Sequence, residues 1–284
     1  MDSDAVRRAD ALLAQFRRRW PDALAELGGM QISRGDGSAA WPDWCWVPMA
    51  AAHAYVDAHG GSGVEIGRIA AMTAWRLGRG VYEVDDAATV QALDRMAAWT
   101  GGDAGRWASV PVPPVEDLVL PEWAVYLAVP PSTAAEVPGA PLGVFVHLEH
   151  DVNTARPELR LVLDTDGQWD GLVPVPVYLD RPTLGRALAD VQAVAAAVVA
   201  GAAGPDVQAL ADAGPVAAVG GLLAYAVWPL LLATIDPAGA IHAPGLPGET
   251  PRPAATREGR WWPAKVTRLW RVGVRPDRPP LRAV

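Results

Sequence analysis

The chain has 284 residues, 51% hydrophobic and 20% charged, with a formal net charge of −8. That length allows one large domain or two small ones, and the composition is ordinary for a globular protein. The single cysteine, Cys45, excludes an intrachain disulfide framework and a multi-cysteine zinc site, and it suits a reducing cytoplasm.

The N-terminus, Met1-Asp2-Ser3-Asp4, opens acidic and without an apolar signal core. Residues 4–27 predict an amphipathic helix, with Leu12, Leu13, Phe16, Trp20 and Leu24 on one stripe, stopped by Gly28-Gly29. Helices are expected over 44–59, with Pro48 in the first turn, and over 64–78. A short strand, 81–84, precedes a helix over 87–99 that Asp85 or Asp86 can cap. Four strands follow, at 123–129, 143–149, 158–164 and 173–179. The turns between them are rich in Gly, Pro, Asn and Asp, which favours antiparallel pairing.

Helices are expected from Pro182 to about 203 and over 206–213. Residues 216–235 carry no charge, a length that permits a membrane span. Gly220, Gly221, Pro229 and Tyr225 interrupt it, and basic flanks are missing, so a buried helix is the better reading. Residues 237–263 read as loop and 266–274 as a last strand before a disordered tail.

Tryptophan supplies the densest signal. Trp41-Pro42-Asp43-Trp44-Cys45-Trp46 sets three indoles in six residues, and Pro121-Glu122-Trp123 echoes its Pro-acid-Trp step. Such a segment is either a core entry or a recognition surface. The recognition reading takes Trp41, Trp44, Trp46, Trp75, Arg76 and Trp123 as partner-binding residues. Charge supplies the second signal. Residues 252–284 hold nine basic and two acidic groups, leaving residues 1–251 at −15. Arg257, Arg260, Trp261, Trp262 and Arg268 interleave cations with aromatics, a pattern that suits phosphates and unpaired bases, or else anchors a final strand.

Catalytic patterns are weaker. His147, Glu149 and Asp151 share one strand face at about 6.5 Å spacing, and with Asp164 and Asp166 they outline a metal-assisted hydrolase or nuclease. The competing reading is a solvated strand face. Asp164-Thr165-Asp166-Gly167 also suits a phosphoaspartate enzyme, but Gln168 replaces the expected Thr, and a strand-to-turn junction explains it as well. His53 and His59 fall on different helix faces, and Cys45 has no neighbouring His in sequence. The chain has no phosphate loop or dinucleotide fingerprint, so no catalytic residue, metal or cofactor is assigned.

Read in order, several blocks resemble the type V-A anti-CRISPR family that blocks biogenesis of the effector nuclease. They are Trp46-Val47-Pro48-Met49; Ala74-Trp75-Arg76 with Gly80-Val81-Tyr82-Glu83-Val84-Asp85; Leu120-Pro121-Glu122-Trp123-Ala124-Val125-Tyr126; Leu161-Val162-Leu163-Asp164-Thr165-Asp166; Gly221-Leu222-Leu223-Ala224-Tyr225-Ala226-Val227-Trp228; and Arg260-Trp261-Trp262 with Trp270-Arg271-Val272. The chain departs from the family at Ala124, where a Cys would match, and in lacking His around Trp261-Trp262. The resemblance implies a cytoplasmic inhibitor that recognises the nascent N-terminal segment of a type V-A CRISPR effector, with loss of its message. It also implies a protein partner, with RNA or the ribosome as a second one, and no membrane. A generic binding protein of a mobile element is the remaining alternative.

The expected architecture is mixed α+β. A single compact domain spans 1–250, helical over 1–100, with a central mostly antiparallel sheet over 120–180 and two apolar helices over 182–235 packed on it. A basic Trp/Arg-rich segment, 251–284, follows.

Overall fold

The computed structural model describes residues 3–32, 34, 40–191, 220–236, 239–244, 251, 256–257 and 260–274. Four helices come first: α1 (Asp4–Arg19), α2 (Ala23–Ile32), α3 (Met49–Ala58) and α4 (Gly63–Gly78). The helix expected over 4–27 is thus two, because Pro21 lacks an N–H and disfavours helical backbone at Trp20. Gly28 and Gly29 do not stop α2: both keep helical backbone, at a cost of about 1 kcal/mol each. Ser3 caps α1, its Oγ accepting from the Ala5 N–H at 3.2 Å. Pro48 stands at the N-cap of α3 rather than inside its first turn.

Strand β1 (Gly80–Val84) leads into α5 (Asp86–Thr100), capped by Asp85, whose Oδ1 accepts from the Ala88 N–H at 2.7 Å. Strand β2 (Ala124–Ala128), the short α6 (Pro131–Glu136), then β3 (Gly143–His150), β4 (Pro157–Asp164) and β5 (Leu172–Tyr178) follow. Residues 184–191 are helical (α7), and the continuation expected to 203 lies outside the described residues, as does the helix expected over 206–213. The uncharged stretch becomes a π-helical turn (Leu223–Val227) running into α8 (Trp228–Thr234). Pro229 explains the π turn. It has no N–H to give, and the ladder absorbs the gap with the bond from Trp228 N–H to Leu223 O. No described helix is long and apolar enough to cross a membrane.

Residues 237–263 are not all loop. They hold β6 (Gly239–His242) and the two-residue strands β7 (Thr256–Arg257) and β8 (Arg260–Trp261), before β9 (Arg268–Val274). The main sheet runs β5-β4-β3-β2-β1-β9-β6. Strands β2 to β5 form the expected antiparallel meander, and β6 is antiparallel to β9. Strand β1 pairs in parallel with both β2 and β9, so the sheet is mixed but mostly antiparallel.

Side-chain alternation gives the sheet two buried faces. Val81, Ala124, Tyr126, Phe145 and Val162 meet α1–α4, while Tyr82, Val125, Val146, Leu161 and Val177 meet α5, α7 and α8. Helix α4 lies along the first face with Ile69, Met72 and Trp75 buried against it. Glu65 ties this layer together: its Oε2 accepts from the indoles of Trp20 (3.3 Å) and Trp169 (2.7 Å), and its Oε1 pairs with Arg19 at 2.8 Å.

Candidate functional site: a tryptophan-walled groove

The six tryptophan and arginine positions divide by burial. Trp75 is 0% exposed, edge-on to Phe145, and donates from Nε1 to Gly80 O at 2.8 Å. Trp46 and Trp41 are also buried, the latter donating to Trp46 O at 3.3 Å beneath the Arg34 guanidinium. These three indoles have no surface to offer a partner. Trp46 and Trp75 belong to the core cluster between the first helices and the sheet face. Arg76 is half-buried on another part of the molecule, donating to Ala264 O at 2.5 Å.

Trp44 and Trp123 differ: both are half-buried, and both line one open cavity of about 320 Å³. Its other walls are Asp43, Val115, Glu116, Leu118, Val119, Leu120, Glu122 and Leu148. The two Pro-acid-Trp steps, far apart in sequence, therefore meet at one groove. Val119 stands 71% exposed there, and Asp43 and Glu116 are exposed on its lining. Behind Trp44, the His150 ring packs edge-on at 5.9 Å.

Glu122 fixes the inner wall. Its Oε2 accepts from the Gly80 N–H at 3.1 Å, and its Oε1 from the Tyr82 hydroxyl (3.0 Å) and the Trp270 indole (3.2 Å). Burial pushes its carboxyl up to about 7, against the pull of these three donors. Gly78 and Gly80 are small because this carboxylate occupies the space a Cβ would take at either position. Sequence reasoning missed Glu122, although it is the acid of the second Pro-acid-Trp step.

The residues of the metal-hydrolase reading do not converge. His147 and Glu149 are buried and joined, Nε2 to Oε1, at 2.7 Å. Asp151 instead closes a turn, accepting from the Asn153 N–H and the Thr154 hydroxyl. Asp164 pairs with Gly143, while His147 pairs with Arg160, so Asp164 lies about 13 Å down the strand. There its carboxylate accepts from the Tyr126 hydroxyl and the Gly167 N–H, each at 2.7 Å, and Asp166 accepts from the Gln168 N–H. With Gly167 at φ +76°, Asp164-Thr165-Asp166-Gly167 is a strand-to-turn junction. Among the described residues, no group of three or more His, Cys, Asp or Glu side chains is placed to hold a metal ion.

What His147 and Glu149 join is a buried ionic cluster that the sequence did not reveal. Glu158 faces Glu149 across the β3–β4 ladder and pairs with Arg160 at 2.6 Å, while Arg160 also reaches the Met49 sulfur at 2.9 Å. Burial raises the Glu158 carboxyl to about 7, and Glu149 and Asp151 add to the rise against Arg160. Burial and the Glu149 charge likewise hold the Cys45 thiol well above its usual range.

The C-terminal residues lie apart from the groove lining. Arg257 and Arg260 are paired in the β7–β8 hairpin, as are Thr256 and Trp261. Trp262 is 60% exposed, and Lys265 and Arg268 are exposed beyond it.

Comparison with known proteins agrees with this architecture. The crystal structure of AcrVA2 superposes with a TM-score of 0.56 at 18% sequence identity, over 93% of this chain and 84% of that one. No curated protein sequence matches the chain. A family model for the AcrVA2-like anti-CRISPR type V subtype A2 family matches residues 99–279, more than half of the sequence. The chain therefore belongs to the anti-CRISPR type V subtype A2 family.

Proposed function

We propose that this protein is a non-enzymatic cytoplasmic inhibitor that holds a segment of a type V-A effector nuclease in the groove between Trp44 and Trp123, and thereby lowers the effector's accumulation. The observation that carries this reading is the meeting of both Pro-acid-Trp steps at one open cavity. Half-buried indoles are rigid anchors of large area, the side chains most enriched at binding hot spots. A cavity of about 320 Å³ takes one or two side chains of a peptide rather than a folded surface. Exposed Glu116 favours a segment that carries a cation beside its apolar anchor, whereas Asp43 is already paired with Arg34. The N-terminal segment of the effector, met as it emerges during translation, is the occupant that the family resemblance implies.

Co-expression with a type V-A effector tests this. Effector protein and message are measured together, with the parent chain and with Val119→Glu, which adds charge at an exposed groove position without touching the core. The parent lowers both quantities, and Val119→Glu restores them at equal inhibitor level. Effector levels that never change in the presence of the parent chain refute the reading.

A further inference from the structure

We propose that the segment 262–268 and the arginines of α1 and α4 form one cationic surface that binds single-stranded RNA. This inference is independent of the groove and goes beyond it.

The last turn of α4 straps the segment in place. Arg76 donates to Ala264 O at 2.5 Å, and Arg79 donates from Nη1 to Lys265 O at 2.6 Å and from Nε to Thr267 Oγ1 at 3.0 Å. The Ala264 N–H returns a bond to Leu77 O at 2.7 Å. Cations distant in sequence meet here: Arg76 of α4 lies close enough to Arg17 of α1 and to Arg79 to feel their charge, and Arg79 holds the backbone of Lys265.

Their charges are matched unequally. Arg79 is neutralised by Asp10 at 2.5 Å, and Arg271 by Glu83. Arg17, Arg76 and Lys265 have no carboxylate partner among the described residues, although the chain as a whole is acidic. Burial, together with the repulsion of Arg17 and Arg79, brings the Arg76 guanidinium down to about 10. Cations crowded this way oppose folding, and an anionic ligand relieves them.

Two exposed apolar groups decide which anion. Trp262 is 60% exposed and Val266 61%, before and after Lys265 in the segment that Arg76 and Arg79 hold. An acidic protein surface needs only the charge. An exposed indole on the segment that carries Lys265 offers a base a stacking face while the cations hold its phosphates. Duplex RNA keeps its bases stacked and leaves the indole unused.

The test is anisotropy of the purified full chain with a short fluorescent single-stranded RNA across a salt series. Three cations, Arg17, Arg76 and Lys265, at about 0.7 each predict a log–log salt slope of roughly −2. Arg17→Gln with Lys265→Gln, both exposed, reduces the magnitude of that slope by about 1.4. Trp262→Ala weakens binding about tenfold at fixed salt and leaves the slope unchanged. Unaltered thermal melting of the variants separates these effects from unfolding. The proposal fails if the parent does not bind at low salt, if duplex RNA binds as tightly, or if Trp262→Ala has no effect. Equal binding of a polyglutamate peptide, insensitive to Trp262→Ala, assigns the surface to an acidic protein instead and overturns it as well.

Discussion

Replacing Glu122 by Gln removes a buried carboxyl while keeping its shape. In the folded chain burial raises this group from 4.5 to about 7. Between those two values the native state holds a proton that the unfolded chain has lost, so stability falls as pH rises through the interval. The fall amounts to roughly 3 kcal/mol and is complete just above pH 7. The Gln side chain cannot ionise, so it escapes this loss. It offers the same carbonyl oxygen to Tyr82 and Trp270, but sets an amide donor against the Gly80 N–H, a mismatch of about 1–2 kcal/mol. Parent and Glu122→Gln are therefore close near pH 5. The variant gains roughly 3 kcal/mol relative to the parent by pH 8. Urea unfolding at a series of pH values measures the difference directly. Glu158, also raised to about 7, contributes the same trend to both proteins and cancels in the comparison. Parallel stability profiles for the two would mean that Glu122 ionises like an ordinary carboxyl, and the reasoning would be wrong.

Three other outcomes follow from the packing. Gly78→Ala drives a methyl group into the Glu122 carboxylate and destabilises the fold by about 2–4 kcal/mol, seen as a lowered urea midpoint; unchanged stability would place the carboxylate elsewhere. Trp75→Ala empties the core of an indole and costs about 3–5 kcal/mol, so soluble yield drops; a variant that melts like the parent would remove Trp75 from the core. Cys45, buried with its thiol held protonated, reacts with iodoacetamide only as fast as the chain opens; rapid labelling of the native protein would contradict its burial.

Much of the fold was legible because its signals are local. Asp85 caps α5 by accepting from the Ala88 N–H only three residues on, and the turns between β2 and β5 carry their own Gly, Pro and Asp. Leu159, Leu161 and Leu163 alternate with Arg160 and Val162, and the two sets do face opposite layers. The site was less legible. A tryptophan reads the same in sequence whether it is Trp75 at the core or Trp123 at a groove, because its exposure depends on what other segments cover. Glu122 draws its three donors from β1 and β9, and Glu158 meets Glu149 only through strand register. The β1–β9 pairing had no local mark: Arg79 and Thr267, bonded beside it, are 188 residues apart.

That pairing sets the order in which the molecule is finished. As the chain is made, β1 to β5 are complete long before β9 appears, and β1 waits with one side of its backbone unpaired. An open central strand is a template for any other extended chain, so this interval is when the protein is most prone to mispairing and aggregation. Closure over so long a loop is also slow compared with hairpin formation. An inhibitor of this design becomes competent late, only after Trp270 has been threaded beside Tyr82 and its indole N–H donates to Glu122.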